Sequence, residues 1–182
     1  ADIAIQEQDL IEFYKEIGVS TGGFADGSIM VISPQELAEY SFTTWGNLYP
    51  DRKELKIPSD VQNFKWTGFT TERDFQDGRI PLYLASHTNL ILVFNSPEEA
   101  QAFYDSDIEK MPLTFQLEMP TIGDESIAFR GWLGGYSPIG GVIWRYQEVY
   151  CSFMTQLKFE VAPESLITIS RNIQERLIEA LE

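Results

Sequence analysis

The chain has 182 residues, 43% of them hydrophobic, and carries 13 Lys and Arg against 28 Asp and Glu, a formal net charge of −15. That length suits one domain, or one domain with an N-terminal arm, and that apolar content is enough for a sizeable core. The acidity repels phosphate backbones and anionic lipid, so neither nucleic acid nor a bare membrane surface is an expected partner. Cys151 is the only cysteine, which excludes an intrachain disulfide and a multi-cysteine zinc site. No apolar run approaches the 18 residues of a membrane-spanning helix. The first residue is Ala1, a start that a cleaved signal peptide or a trimmed tag would both leave.

In chain order, residues 5–17 predict a short helix, with Leu10, Phe13, Tyr14 and Ile17 at helical spacing and Gly18 closing it. Ser20 to Ser28 is rich in glycine and small polar residues and predicts a flexible connection. Residues 1–27 are therefore expected to form an arm that packs loosely, and residues 28–182 a single domain. Ser33-Pro34-Gln35-Glu36 starts a second short helix that ends before Phe42. Residues 43–63 predict a loop pinned by Trp45, Leu48 and Tyr49. Phe64–Thr70 predicts a strand, and Thr71–Gly78 a polar connection ending in an Asp-Gly turn signal. Residues 79–85 and 90–95 are expected as two strands joined by a turn over Ser86-His87-Thr88-Asn89. Leu90 to Phe94 is apolar throughout and should be central, covered on both faces.

Ser96-Pro97-Glu98-Glu99 repeats the helix-start signature, and Ala100, Phe103 and Tyr104 supply that helix's inward face. Leu113, Phe115, Leu117 and Met119 alternate with polar residues as in a strand with one wet face. Ile127–Leu133, Val142–Tyr146 and Val149–Val161 predict further strands. Gly134–Gly141 is expected as a long glycine-rich loop, and Gln147-Glu148 as a tight turn. Pro163 opens an amphipathic helix to Leu181, with Leu166, Ile169, Ile173, Leu177 and Leu181 in one stripe and Arg171, Gln174 and Glu175 away from it. The order predicts an α+β fold: a mainly antiparallel sheet with helices packed on one face and a closing C-terminal amphipathic helix.

Few residues carry a chemical signature. Gly18-Val19-Ser20-Thr21-Gly22 has the letters of a nucleophile elbow, but it follows a helix and enters a polar connection, whereas the chemistry needs a strand-to-helix turn beside a histidine. His87 is the only histidine and is expected in a turn. Cys151 falls in an apolar strand beside Val149 and Phe153 and reads as a small buried hydrophobe. Asp124 and Glu125 are neighbours before a strand, where successive side chains diverge. Their expected role is structural, bonding turn amides or pairing with Arg130 or Arg145. No catalytic residue, metal site or cofactor is assigned. The best binding candidates are the aromatics around Gly134–Gly141: Trp132, Tyr136, Trp144 and Tyr146. They form either a platform for a sugar ring or peptide, or part of the core.

Phe94-Asn95-Ser96-Pro97-Glu98-Glu99-Ala100, Ile122-Gly123-Asp124-Glu125-Ser126-Ile127-Ala128-Phe129-Arg130 and Val142-Ile143-Trp144-Arg145, followed by a closing helix, resemble uncharacterised bacterial and archaeal exported or lipoprotein-type α+β domains. The resemblance spans the last half of the chain. It implies a non-catalytic, extracytoplasmic domain, secreted or lipoprotein-anchored, that binds a protein partner or small ligand. Tyr146-Gln147-Glu148 replaces the Gly-Asn turn usual there. Three alternatives stand beside it: a hydrolase-like enzyme using Asp124 or Glu125, a structural or oligomerisation module, and a cytoplasmic location.

Overall fold

The computed structural model describes residues 3, 5–16, 24–32, 63–72, 83–109, 116–133, 137–157 and 163–182. In chain order these are α1 (Glu7–Glu16), β1 (Phe24–Ile32), β2 (Asn63–Glu72), β3 (Tyr83–Val93), α2 (Pro97–Glu109), β4 (Gln116–Leu117), β5 (Glu125–Leu133), β6 (Ser137–Tyr146), β7 (Val149–Leu157) and α3 (Pro163–Leu181). The strands form one seven-stranded sheet in the order β1-β2-β3-β7-β6-β5-β4, and every neighbouring pair is antiparallel. The fold is α+β. The helix expected over residues 33–41, residues 43–62 of the loop expected over residues 43–63 (Asn63 opens β2) and residues 134–136 of the expected glycine-rich loop lie outside the described residues.

Strand alternation divides the core in two. On β7, Val149, Cys151 and Phe153 join Leu166, Ile169, Ile173 and Leu177 of α3 and Leu10 and Phe13 of α1. Tyr150 and Met154 point the other way, onto Ala100, Phe103 and Tyr104 of α2. The expected single helical face therefore holds for α1 and α3, while α2 covers the opposite side. The run Leu90–Phe94 is central, on a strand between β2 and β7, and its residues alternate between the two clusters.

Three sequence expectations are corrected. There is no turn at Ser86–Asn89, because β3 runs unbroken through it. His87 pairs with Phe69 on β2 and Thr155 on β7, and Asn89 with Thr67 and Phe153. Ladder bonds on both sides satisfy the backbone there, and this outweighs the turn-like polarity of the side chains. The long loop at Gly134–Gly141 is also shorter than expected, since β6 begins at Ser137. Gly141 suits that strand because a Cβ there would run into the Phe153 carbonyl, the Phe129 ring and Met154.

The third correction concerns the N-terminal arm. Ile5, Leu10 and Phe13 are at most 2% exposed, so α1 is part of the core, and Phe24 and Ala25, assigned to the connection, already pair with β2. Pins from far along the sequence hold the helix. The Ile5 N–H donates to Asn89 Oδ1 at 3.0 Å. Arg176 of α3 donates to both Asp9 carboxylate oxygens, at 3.1 and 2.6 Å, and to the Ile3 carbonyl at 3.3 Å. Asp9 also accepts the Gln6 N–H at 2.8 Å, closing the first turn of α1.

Candidate functional site

At one end of the sheet, the β6–β7 hairpin turns through Gln147 at a φ of 52° and Gly123 enters β5 at a φ of 66°. A Cβ at Gly123 would meet the Arg145 carbonyl, so glycine is needed there both for its backbone angle and for space. This approach lets the Asp124 N–H donate to the Arg145 carbonyl at 2.8 Å. Arg145 then reaches back with Nη1 to Asp124 Oδ2 at 2.9 Å and Nε to Glu125 Oε1 at 2.8 Å. Asp124 also accepts the Gln147 N–H at 2.8 Å, and Arg145 Nη1 donates to the Gln147 carbonyl at 3.0 Å. Both carboxylates named by the hydrolase alternative are thus engaged in a clamp that ties the entry of β5 to the hairpin.

The three aromatic candidates among the described residues, Trp132, Trp144 and Tyr146, do not come together. Trp144 has no exposure and its Nε1 donates to Gln174 Oε1 at 2.8 Å; it belongs to the core, not to an exposed platform. Gln174 was expected away from the apolar stripe, yet it is 6% exposed, turned inward to meet the indole that would otherwise bury an unpaired N–H. Tyr146 is half-buried against the α1–α3 cluster at the hairpin end. Trp132 lies at the other end, where it pairs with Pro138. The eight residue steps from Pro138 to Tyr146 on β6 span about 27 Å. Tyr136 lies outside the described residues.

The other reactive groups are sealed. His87 has no exposure and burial pushes its imidazole down to about 3, so it is neutral in the folded chain. Cys151 is free and buried, and burial pushes its thiol well above the ordinary range. No group of three or more His, Cys, Asp or Glu among the described residues could hold a metal ion, and no described helix is long and apolar enough to cross a membrane.

A buried acid escaped the sequence reading. Asp107 on α2 has no exposure and accepts the Tyr150 hydroxyl at 2.5 Å. Nearby, burial, helped by Glu125, Asp105 and Asp107, raises the Tyr104 hydroxyl above the usual phenol range. The signal was present, since Ala100, Phe103, Tyr104 and Asp107 share one helical face by spacing.

No protein-family model and no curated protein matches this sequence. Among solved structures, the extracellular domain of PknH from Mycobacterium tuberculosis matches with a TM-score of 0.54 and 10% identity, over 97% of this chain and 93% of that one. At that identity the likeness is one of fold.

Proposed function

We propose that this chain is a non-enzymatic, extracytoplasmic domain that binds a partner protein or a small ligand. The observation that carries the reading is the shared fold with an extracellular domain over nearly the whole of both chains. The resemblance to exported α+β domains supports it. So does the engagement of the Asp124 and Glu125 carboxylates by Arg145, which gives those residues a structural use. With Trp144 in the core and Tyr146 at the opposite end of β6, the contact is proposed at the β5–β6 end, around Trp132 and Tyr136.

A thermal-shift panel of calcium, sugars, nucleotides, amino acids and lipids tests this. A compound present at 100 times its Kd stabilises the folded state by about 2.7 kcal/mol. The expected result is a rise in Tm with one chemical class that Tyr136→Ala or Trp132→Ala abolishes while leaving the unliganded Tm unchanged. A ligand whose shift survives both substitutions would count against the proposed surface.

A further inference from the structure

The chain's single histidine lies beneath its first helix. The His87 ring stacks on Phe153 of β7, with centroids 6.2 Å apart and 9° between planes. It also meets Phe13 of α1 at 5.9 Å and 80°. Phe13 and Phe153 touch edge to face at 6.5 Å, so α1 roofs the imidazole. Thr155 is its cross-strand neighbour on β7. Among the described side chains, the charged or titratable groups on the elements packed around this site are buried Asp9 and exposed Glu12 and Glu16 on α1, half-buried Arg176 and exposed Glu164, Arg171, Glu175 and Glu179 on α3, and Cys151 on β7, with Tyr150 of β7 on the opposite face of the sheet. Asp9 and Arg176 pair with each other, and burial keeps the Cys151 thiol neutral.

We infer that α1 is a strap released by protonation of His87: a charged imidazole cannot stay sealed between Phe13 and Phe153, so α1 lifts and water reaches the ring. Among the described residues, the lift breaks the Asn89 acceptor for Ile5, the Arg176 bonds to Asp9 and the Ile3 carbonyl and the Phe13 edge, and it exposes Leu10. It uncovers an apolar strip of Ile91, Cys151 and Phe153 on β3 and β7.

The direction follows from burial. The closed state holds His87 at about 3, and the ordinary value, which the open state regains, is 6.5. The open state therefore takes up the proton first, and release grows as pH falls below 6.5. Between pH 7.5 and 5.5 the opening equilibrium should shift about tenfold.

Hydrogen exchange of the intact chain at pH 7.5 and 5.5, corrected for the intrinsic pH dependence of exchange, tests the strap. α1 should lose protection about tenfold while α2 holds its own. His87→Phe, which keeps an aromatic ring under Phe13, should abolish that step; should His87→Phe fail to fold, His87→Gln should do the same. Asp9→Asn should lower the protection of α1 at both pH values and keep the step. The inference is overturned if α1 keeps its protection at pH 5.5, if α1 and α2 lose protection together, if the step survives without His87, or if it disappears in Asp9→Asn.

Discussion

Beneath α2, a tyrosine meets an acid, Tyr150 to Asp107, set among Leu90, Leu92, Phe94, Phe103 and Ile143. Beneath α1 and α3, polar contacts link parts of the chain far apart in sequence: Ile5 to Asn89, Asn89 to the Ser152 carbonyl, Trp144 to Gln174 and Arg176 to Asp9. The first face is closed by a helix that follows directly from the central strand β3. The second is closed by the two ends of the chain meeting each other. Local sequence signals can build the former, whereas the latter exists only once the whole sheet is formed. The α1–α3 face should therefore be the one that is more sensitive to pH and to changes at a distance.

The largest expected effect is Trp144→Ala. It empties a fully buried indole site and strands Gln174, and should cost about 3–5 kcal/mol in urea unfolding. On the other face, Tyr150→Phe keeps the ring and removes the donor to Asp107, for about 1.5–3 kcal/mol. A cost for Tyr150→Phe equal to that of Trp144→Ala would erase the contrast between the faces. The pH dependence sharpens it. His87 falls from an ordinary 6.5 to about 3 on folding, so its contribution is complete above pH 6.5 and is lost as pH falls towards 3. By pH 5 the loss should reach about 2 kcal/mol relative to pH 8, and His87→Phe should flatten that slope. The smallest effect belongs to α2. Ser96 Oγ accepts the Glu99 N–H at 3.3 Å and Glu99 reaches back to the Asn95 N–H at 3.2 Å. Ser96→Ala should cost about 1 kcal/mol, independent of pH between 5 and 8.

The α2 cap was legible because its signature is local: Ser96, Pro97 and Glu99 lie within four residues. The α3 stripe was legible because apolar spacing is local too. What stayed hidden was decided by partners distant in sequence. The polar run Ser86–Asn89 has turn composition, and only pairing with both β2 and β7 makes it strand. Even so, His87 and Asn89 are in phase with buried Ile91, the alternation of a strand face. Gln174 looks like a surface residue until Trp144 is known to need an acceptor. The same holds at the candidate site. Gly140 and Gly141 have loop composition, but Leu166, Phe129 and Met154 occupy the space that larger side chains would need. The pairing of Asp124 and Glu125 with an arginine was among the expectations, with Arg130 and Arg145 both named; the structure selects Arg145, 21 and 20 residues on, because antiparallel β5 and β6 set Glu125 opposite it.

The contrast between the faces turns on His87 being sealed under α1, and because it is the only histidine it gives a single imidazole signal. An NMR titration of that signal is the most direct test. The account predicts no midpoint near 6.5: the ring stays neutral while α1 is closed and takes up its proton only as α1 lifts, at a pH below 6.5. A folded chain whose imidazole titrates near 6.5 would place His87 in contact with water and contradict the α1 seal.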